Sequence, residues 1–384
     1  LVFQADLPHG KYYIQEVEHK PGYLPNDEVC SFDASYTDQT LELLAFSEEI
    51  SNQPTITEFT KVDLTGGQEI EGAKMQILDQ EGKVVEEWVS KKEPHVVYAL
   101  EPGEYVLHEE QAPTEQGYVR AEDVKFVVEE TGDVQKVKME DDHTKVSISK
   151  TDITDGKEIE GAKLQILDQD GEVVESWTTG EEHLIEYLPV GTYTLHEEAA
   201  VDGYIVANDV EFTVEETGEI QKVKMEDERA MGQLVIVKTD TDSKAALEGV
   251  EFVLLEKETG KEVGRLKTGK DGKAVSELLP IGTYENGVFK EPITYVLKET
   301  ATLKGYEKTE EEWEIVFTYQ NDKTPVIEVV KEIQNKKIPE TPGTVKPGPK
   351  TGDDTNWFLP LLALGVSAGM VAGLLYYRKR HKKA

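Results

Sequence analysis

From Lys11 to Asn335 apolar residues recur at every second position in short runs, and Gly, Asp and Pro clusters separate them. In one ninety-residue stretch the runs are VSISKTD, KLQILD, VVESW, TYTLHEE, VEFTVEE and IQKVKMED. Strict alternation is the mark of a half-buried strand, and nothing before residue 357 keeps a helical period over three turns. About seven short strands in each unit predict an all-β chain of β-sandwiches. Turn dipeptides such as Asp170-Gly171 and Asp271-Gly272 fit hairpins. The Asp-rich turns lack the ligand spacing of an EF-hand loop, so they read as turns and not calcium sites.

The pattern repeats. Glu69–Trp88 returns at Glu158–Trp177 with 16 of 20 residues identical, and Val128–Asp141 returns at Val214–Asp227. The unit is therefore close to 88 residues, a domain and not a solenoid repeat. A more divergent copy opens at Gly232–Asp242, and Leu7–Tyr23 parallels Leu188–Tyr204, so the first residues are the back half of another copy. The expected organisation is a partial domain over 1–55, repeats over 56–143, 144–229 and 230–339, and a Pro/Gly linker over 340–356. A membrane helix over 357–377 and a basic cytoplasmic tail over 378–384 would follow. The span from Trp357 to Tyr377 carries no charge and is long enough to cross a bilayer, and RKRHKK behind it holds the C-terminus inside. The chain opens on Leu1 without a signal segment, which is read as the C-terminal part of a longer exported product.

Three residue types hold their register in every full unit. A lysine lies in the first strand as K-x-D: Lys61, Lys150 and Lys238. A glutamate closes Y-x-L-x-E: Glu109, Glu197 and Glu299. An acid or amide ends the last strand: Asp141, Asp227 and Asn335. In the partial unit Glu16 and Asn52 hold the last two positions. A buried amine has its pKa lowered and becomes nucleophilic, and a buried carboxyl has its pKa raised and can relay protons. Alternation puts Val137, Met139 and Asp141 on one face, and likewise Val223, Met225 and Asp227. Asp142 or Glu110 would serve if the register were shifted by one.

The K-x-D opening, the L-P-x-G-x-Y lead-in and E-x-x-A-P-x-x-x-G-Y at Glu109–Tyr118 resemble the SpaA/CnaB-type prealbumin-like domains over nearly all of 1–339. The resemblance implies an Ig-like β-sandwich in which the lysine and the terminal Asn or Asp join spontaneously as an isopeptide, with the glutamate assisting. The C-terminal order of motif, apolar span and basic tail resembles an LPXTG-type sorting signal. In that family a sortase cuts between Thr and Gly and joins Thr to peptidoglycan. Pro349, Lys350, Thr351 and Gly352 match it, with Gly348 in the place of Leu. Ile338-Pro339-Glu340-Thr341 is a weaker candidate, because Pro342 stands where Gly belongs.

Composition narrows the function. A net charge of −36, from 77 acidic and 41 basic residues, repels phosphate backbones, so no nucleic acid partner is expected. With Cys30 the only cysteine, no internal disulfide can form, and another covalent staple would take that role. His108 and His196 sit beside glutamates but lack the second histidine of a helical zinc site, and are expected to face solvent. No phosphate loop or nucleophile triad is present, so neither an enzyme nor a cofactor is expected. The remaining readings are a stalk that is sortase-linked to peptidoglycan, a set of adhesin modules for host or neighbouring-cell ligands, and a pilin subunit.

Overall fold

The computed structural model describes residues 7–35 and 45–339. Among these the regular structure is β throughout, apart from one 3-10 turn at Thr114–Gln116. Each of the first two repeats forms a pair of four-stranded sheets. In the first, one sheet runs His95–Tyr98, Ile56–Asp63, Val134–His143, Tyr118–Val119. The other runs Val84–Val89, Lys74–Leu78, Gly103–Gln111, Val124–Val128. Eight strands stand where about seven were expected, the extra one being the two-residue Tyr118–Val119. The side chains between the sheets form the core: Phe59, Met75, Ile77, Leu107, Val137 and Met139 in this domain. The alternation read from sequence is kept, with Val137, Met139 and Asp141 all inward.

The opening and closing strands of each domain lie side by side and parallel. Ile56–Asp63 pairs with Val134–His143, Lys145–Asp152 with Ile220–Arg229, and Met231–Asp240 with Val326–Asn335. Parallel neighbours need a long crossover, and here nearly the whole domain supplies it. The register sets Lys61 beside Met139 and Asp63 beside Asp141, and the other two domains repeat this offset. Residues two apart share a face, so the lysine and the terminal Asp or Asn both point into the core within reach of a long side chain.

One of the two expected hairpins changes. Asp170-Gly171 does turn a hairpin, between Lys163–Leu167 and Val173–Thr178. Asp271-Gly272 does not: Glu262–Lys267 and Lys273–Val275 belong to different sheets, and the turn is the corner between them. Gly272 has φ +71 there, its carbonyl accepts the Lys238 N–H, and a Cβ would lie 2.5 Å from the Lys238 oxygen. The third domain also carries a hairpin, Gly282–Glu285 with Val288–Pro292, that the first two lack.

Successive domains are joined almost without linker. Thr144 alone separates the strands Val134–His143 and Lys145–Asp152, and it is fully buried. Its N–H donates to Gly117 and its carbonyl accepts from Tyr187. Gly117 has φ +78, and a Cβ on it would fall 2.4 Å from the Tyr187 carbonyl, so only glycine permits the approach. His143 stacks on the Tyr187 ring at 3.9 Å, and the Tyr187 hydroxyl reaches back 2.8 Å to Asp63. Thr55 repeats the lock with Gly22 and Ala99. At the next junction Ala230 bonds Gly203, and Tyr284 donates to Gly203 while Arg229 lies 4.2 Å over its ring.

Candidate cross-linking sites

In each full domain the three register positions converge in the core between the sheets. Lys61 Nζ touches Asp141 Oδ1 and lies 2.9 Å from Glu109 Oε2, with all three side chains at 3% exposure or less. Lys150 touches Asp227 and lies 3.0 Å from Glu197, equally buried. Lys238 touches Asn335 Oδ1 and lies 3.2 Å from Glu299. Asp142 and Glu110 are not in the cluster: Asp142 pairs with Lys145 at 2.7 Å, and Glu110 is exposed. Ahead of the first matched unit, Asn52 donates to both oxygens of Glu16 at 2.8 Å.

Burying one ammonium with two carboxylates leaves a net negative charge where water cannot screen it, and such a group takes up a proton instead. The unpartnered oxygens mark where that proton could be held. Glu109 Oε2 accepts from Lys61 and from the Ala121 N–H at 2.7 Å, but Glu109 Oε1 and Asp141 Oδ2 are both buried without a partner. Glu197 and Asp227 repeat this, with Ala207 donating at 2.6 Å. Burial pushes the Asp141 carboxyl up to about 7; Lys61 opposes this and the facing Glu109 adds to it. Asp227 is pushed up to about 7 for the same reasons, by burial first, against Lys150 and with Glu197. One proton shared between the two carboxyls would satisfy both orphan oxygens. The third site has no such surplus, because Asn335 is neutral. There burial lowers the Lys238 amine, and Glu299 partly offsets it.

The aspartate of K-x-D has a separate task that its sequence motif did not disclose. Asp63 accepts the N–H groups of Thr65 and Gly66 at 2.6 and 2.7 Å and the hydroxyl of Tyr187. Burial pushes its carboxyl up, but these donors outweigh burial and hold it low. Asp152 does the same with Thr154, Tyr204 and Arg229. Asp240 is held at about 2, first by the Ser243 N–H. The signal was present as an Asx turn, Asp followed by Thr, Ser or Gly. Glu69 and Glu158 were also missed; each accepts the backbone N–H of the buried lysine of its domain. His108 and His196, expected to face solvent, are partly exposed, and each bonds an aspartate just ahead of the neighbouring strand at 2.7 Å, Asp123 and Asp209.

Pro349, Lys350, Thr351, Gly352 and the apolar span 357–377 lie outside the described residues, as do Glu340 and Thr341 of the second motif. No helix of the described residues is long and apolar enough to cross a membrane.

The architecture defines a class: tandem all-β sandwiches, each with a lysine, a glutamate and an Asp or Asn buried together. The chain belongs to the SpaA prealbumin-like fold domain family, which matches residues 55–143, 144–229 and 232–292. Among solved structures it is similar to the Bacillus anthracis TIE protein, with 27% identity, a TM-score of 0.50 and 74% of this chain covered. The match takes in 51% of that structure, so this chain spans about half its length. The major pilin subunit of Bacillus cereus aligns at 16% identity and a TM-score of 0.42, over 74% of this chain and 99% of the pilin. A streptococcal ancillary pilin aligns at 16% and 0.31 over the same shares. No curated protein matches.

Proposed function

We propose that this chain is the structural stalk of a cell-wall-anchored surface protein. Intramolecular isopeptide bonds Lys61–Asp141, Lys150–Asp227 and Lys238–Asn335 stiffen it, with Glu109, Glu197 and Glu299 moving the protons. Each domain, over 56–143, 144–229 and 230–339, carries one bond between its first and last strands, and the partial domain over 1–55 keeps Glu16 and Asn52. The linker over 340–356 presents Pro349-Lys350-Thr351-Gly352 to a sortase, which joins Thr351 to peptidoglycan. The helix over 357–377 and the tail over 378–384 hold the precursor in the membrane. The protein acts outside the cell as a spacer, not as an enzyme.

The carrying observation is the burial of three lysines, each within reach of its glutamate and its Asp or Asn. Isolated buried charges are too costly to recur three times in register without a use. The intact mass of the full chain is expected to fall short of the encoded mass by two waters and one ammonia. A full encoded mass sinks the reading.

The two chemistries also differ with pH. An aspartate loses its oxygen as water only when protonated, so with Asp141 and Asp227 at about 7 their linking slows as pH rises through that value. Lys238 needs only to be neutral, and higher pH favours that. Followed by mass during cell-free synthesis at about pH 6 and about pH 9, the first two bonds should favour the lower pH and the third the higher. Parallel trends would refute the assignment. The unlinked first two domains follow the same sign. Their folded carboxyl pKa lies above the unfolded value of 3.8, so stability present at low pH is lost as pH rises through about 7.

Sorting is tested apart. In a Gram-positive host Thr351→Ala should leave the chain in the detergent-soluble membrane fraction instead of the wall digest. Equal wall attachment of both forms would remove Thr351 as the joined residue.

A further inference from the structure

Asn335 has a demand that Asp141 and Asp227 do not: its amide carries two N–H bonds, and both need acceptors when buried. Glu299 Oε1 takes one at 2.6 Å. The hydroxyl of Thr302 takes the other at 2.7 Å. With both bonds made the amide plane is fixed, and Oδ1 is the atom turned to the Lys238 amine. Counting three residues on from each glutamate, Thr302 corresponds to Ala112 and Ala200. The hydroxyl is therefore present at the site that uses Asn and absent from both sites that use Asp.

We propose that Thr302 is a positioning residue for the leaving amide nitrogen of Asn335, and that the residue at this place sets whether the site reacts through Asn or Asp. The inference rests on the cross-linking reading above. In the reaction Nζ of Lys238 attacks Cγ of Asn335, the Nζ–Cγ bond forms and the Cγ–Nδ2 bond breaks. Glu299 Oε2 takes the proton from Nζ, Oε1 returns it to Nδ2, and ammonia leaves. Glu299 spans both atoms, at 3.2 Å from Nζ and 2.6 Å from Nδ2. That route works only while Nδ2, and not Oδ1, faces Oε1. Glu299 and Thr302 hold this orientation together: a flipped amide would set its oxygen against the acceptor-only Glu299 carboxylate and leave two N–H groups pointing at the lysine, and the Thr302 hydroxyl takes the second N–H of the productive orientation. In the Asp sites the two oxygens are equivalent, no flip can misplace the leaving atom, and alanine suffices.

The test uses the full chain made by cell-free synthesis, digested at intervals, with the three cross-linked peptides quantified by mass. Thr302→Val is expected to slow the Lys238–Asn335 bond about tenfold, the scale of one lost hydrogen bond. Lys61–Asp141 and Lys150–Asp227 in the same molecules should keep their rates, and Thr302→Ser should restore the third bond. In an Asn335→Asp background the Val and Thr forms should link equally fast. In the first domain Asp141→Asn alone should link slowly, and Ala112→Thr should speed it. A Thr302→Val chain that links Asn335 at the parent rate overturns the proposal. So does one slowed equally in the Asn and Asp backgrounds, which is the result of a merely structural role. A parent chain that never loses ammonia removes the cross-linking reading itself.

Discussion

Alanine at Glu299 is expected to leave Lys238 and Asn335 unlinked while the other two domains of the same chain close normally. Glu299 is the carboxyl that touches both reacting groups, one oxygen on Nζ and the other on Nδ2. Its removal strands a buried amine and deletes the route from nucleophile to leaving group. General acid–base assistance contributes roughly 10²–10⁴-fold, so linking that accompanies folding would stretch to hours or days. Intact mass then shows the ammonia retained. Glu109→Ala and Glu197→Ala should each retain one water by the same argument. Glutamine at these positions keeps the size and one acceptor but cannot shuttle a proton, so it separates lost chemistry from lost packing. A Glu299→Ala chain that differs from the parent only by the substituted side chain would show that the glutamate is dispensable.

Thermal stability should respond almost as strongly. The proposed cross-links would close loops of 80, 77 and 97 residues. By analogy with disulfides, closing loops of that length restrains the unfolded chain by about 4–5 kcal/mol per domain. The logarithmic dependence makes the three nearly equal, so loop length does not rank the domains. For domains of this size about 4 kcal/mol corresponds to roughly 20–30 °C in Tm. The triple variant Glu109→Gln/Glu197→Gln/Glu299→Gln should melt lower by that amount under non-reducing and reducing conditions alike. A variant that melts with the parent would mean that the bonds, if formed, add nothing to the fold.

The three buried clusters were legible because they depend on two things a sequence displays: register between repeats and alternation within a strand. Lys61, Glu109 and Asp141 could be matched to their counterparts without knowing how the sheets meet, and period two put them inward. What escaped depends on geometry between elements. Tyr187 reaches Asp63 across a domain boundary, 124 positions away, and nothing local to either residue encodes that. The Ala121 and Ala207 amides that hold the glutamates are ordinary backbone groups in sequence. Asp271-Gly272 has the composition of a hairpin turn, but its conformation answers to the Lys238 backbone beside it. Thr302 stood out only once its hydroxyl was seen against Asn335, since an exchange of Thr for Ala between diverged copies carries no mark of its own.

The parallel pairing of first and last strands has a consequence for damage. With the proposed bond in place, two covalent routes connect Lys61 to Asp141: the main chain through the domain and the side-chain amide across two neighbouring strands. The segment between them, most of the domain with its exposed turns, is a closed ring. A protease that cuts once anywhere in that ring opens it without severing the protein, so a nicked chain should still run as one piece on a denaturing gel. Only the stretches between rings, such as Asp142 to Ser149, remain single-stranded in this sense. There Thr144 is buried and hydrogen-bonded at the junction, where a protease has least access.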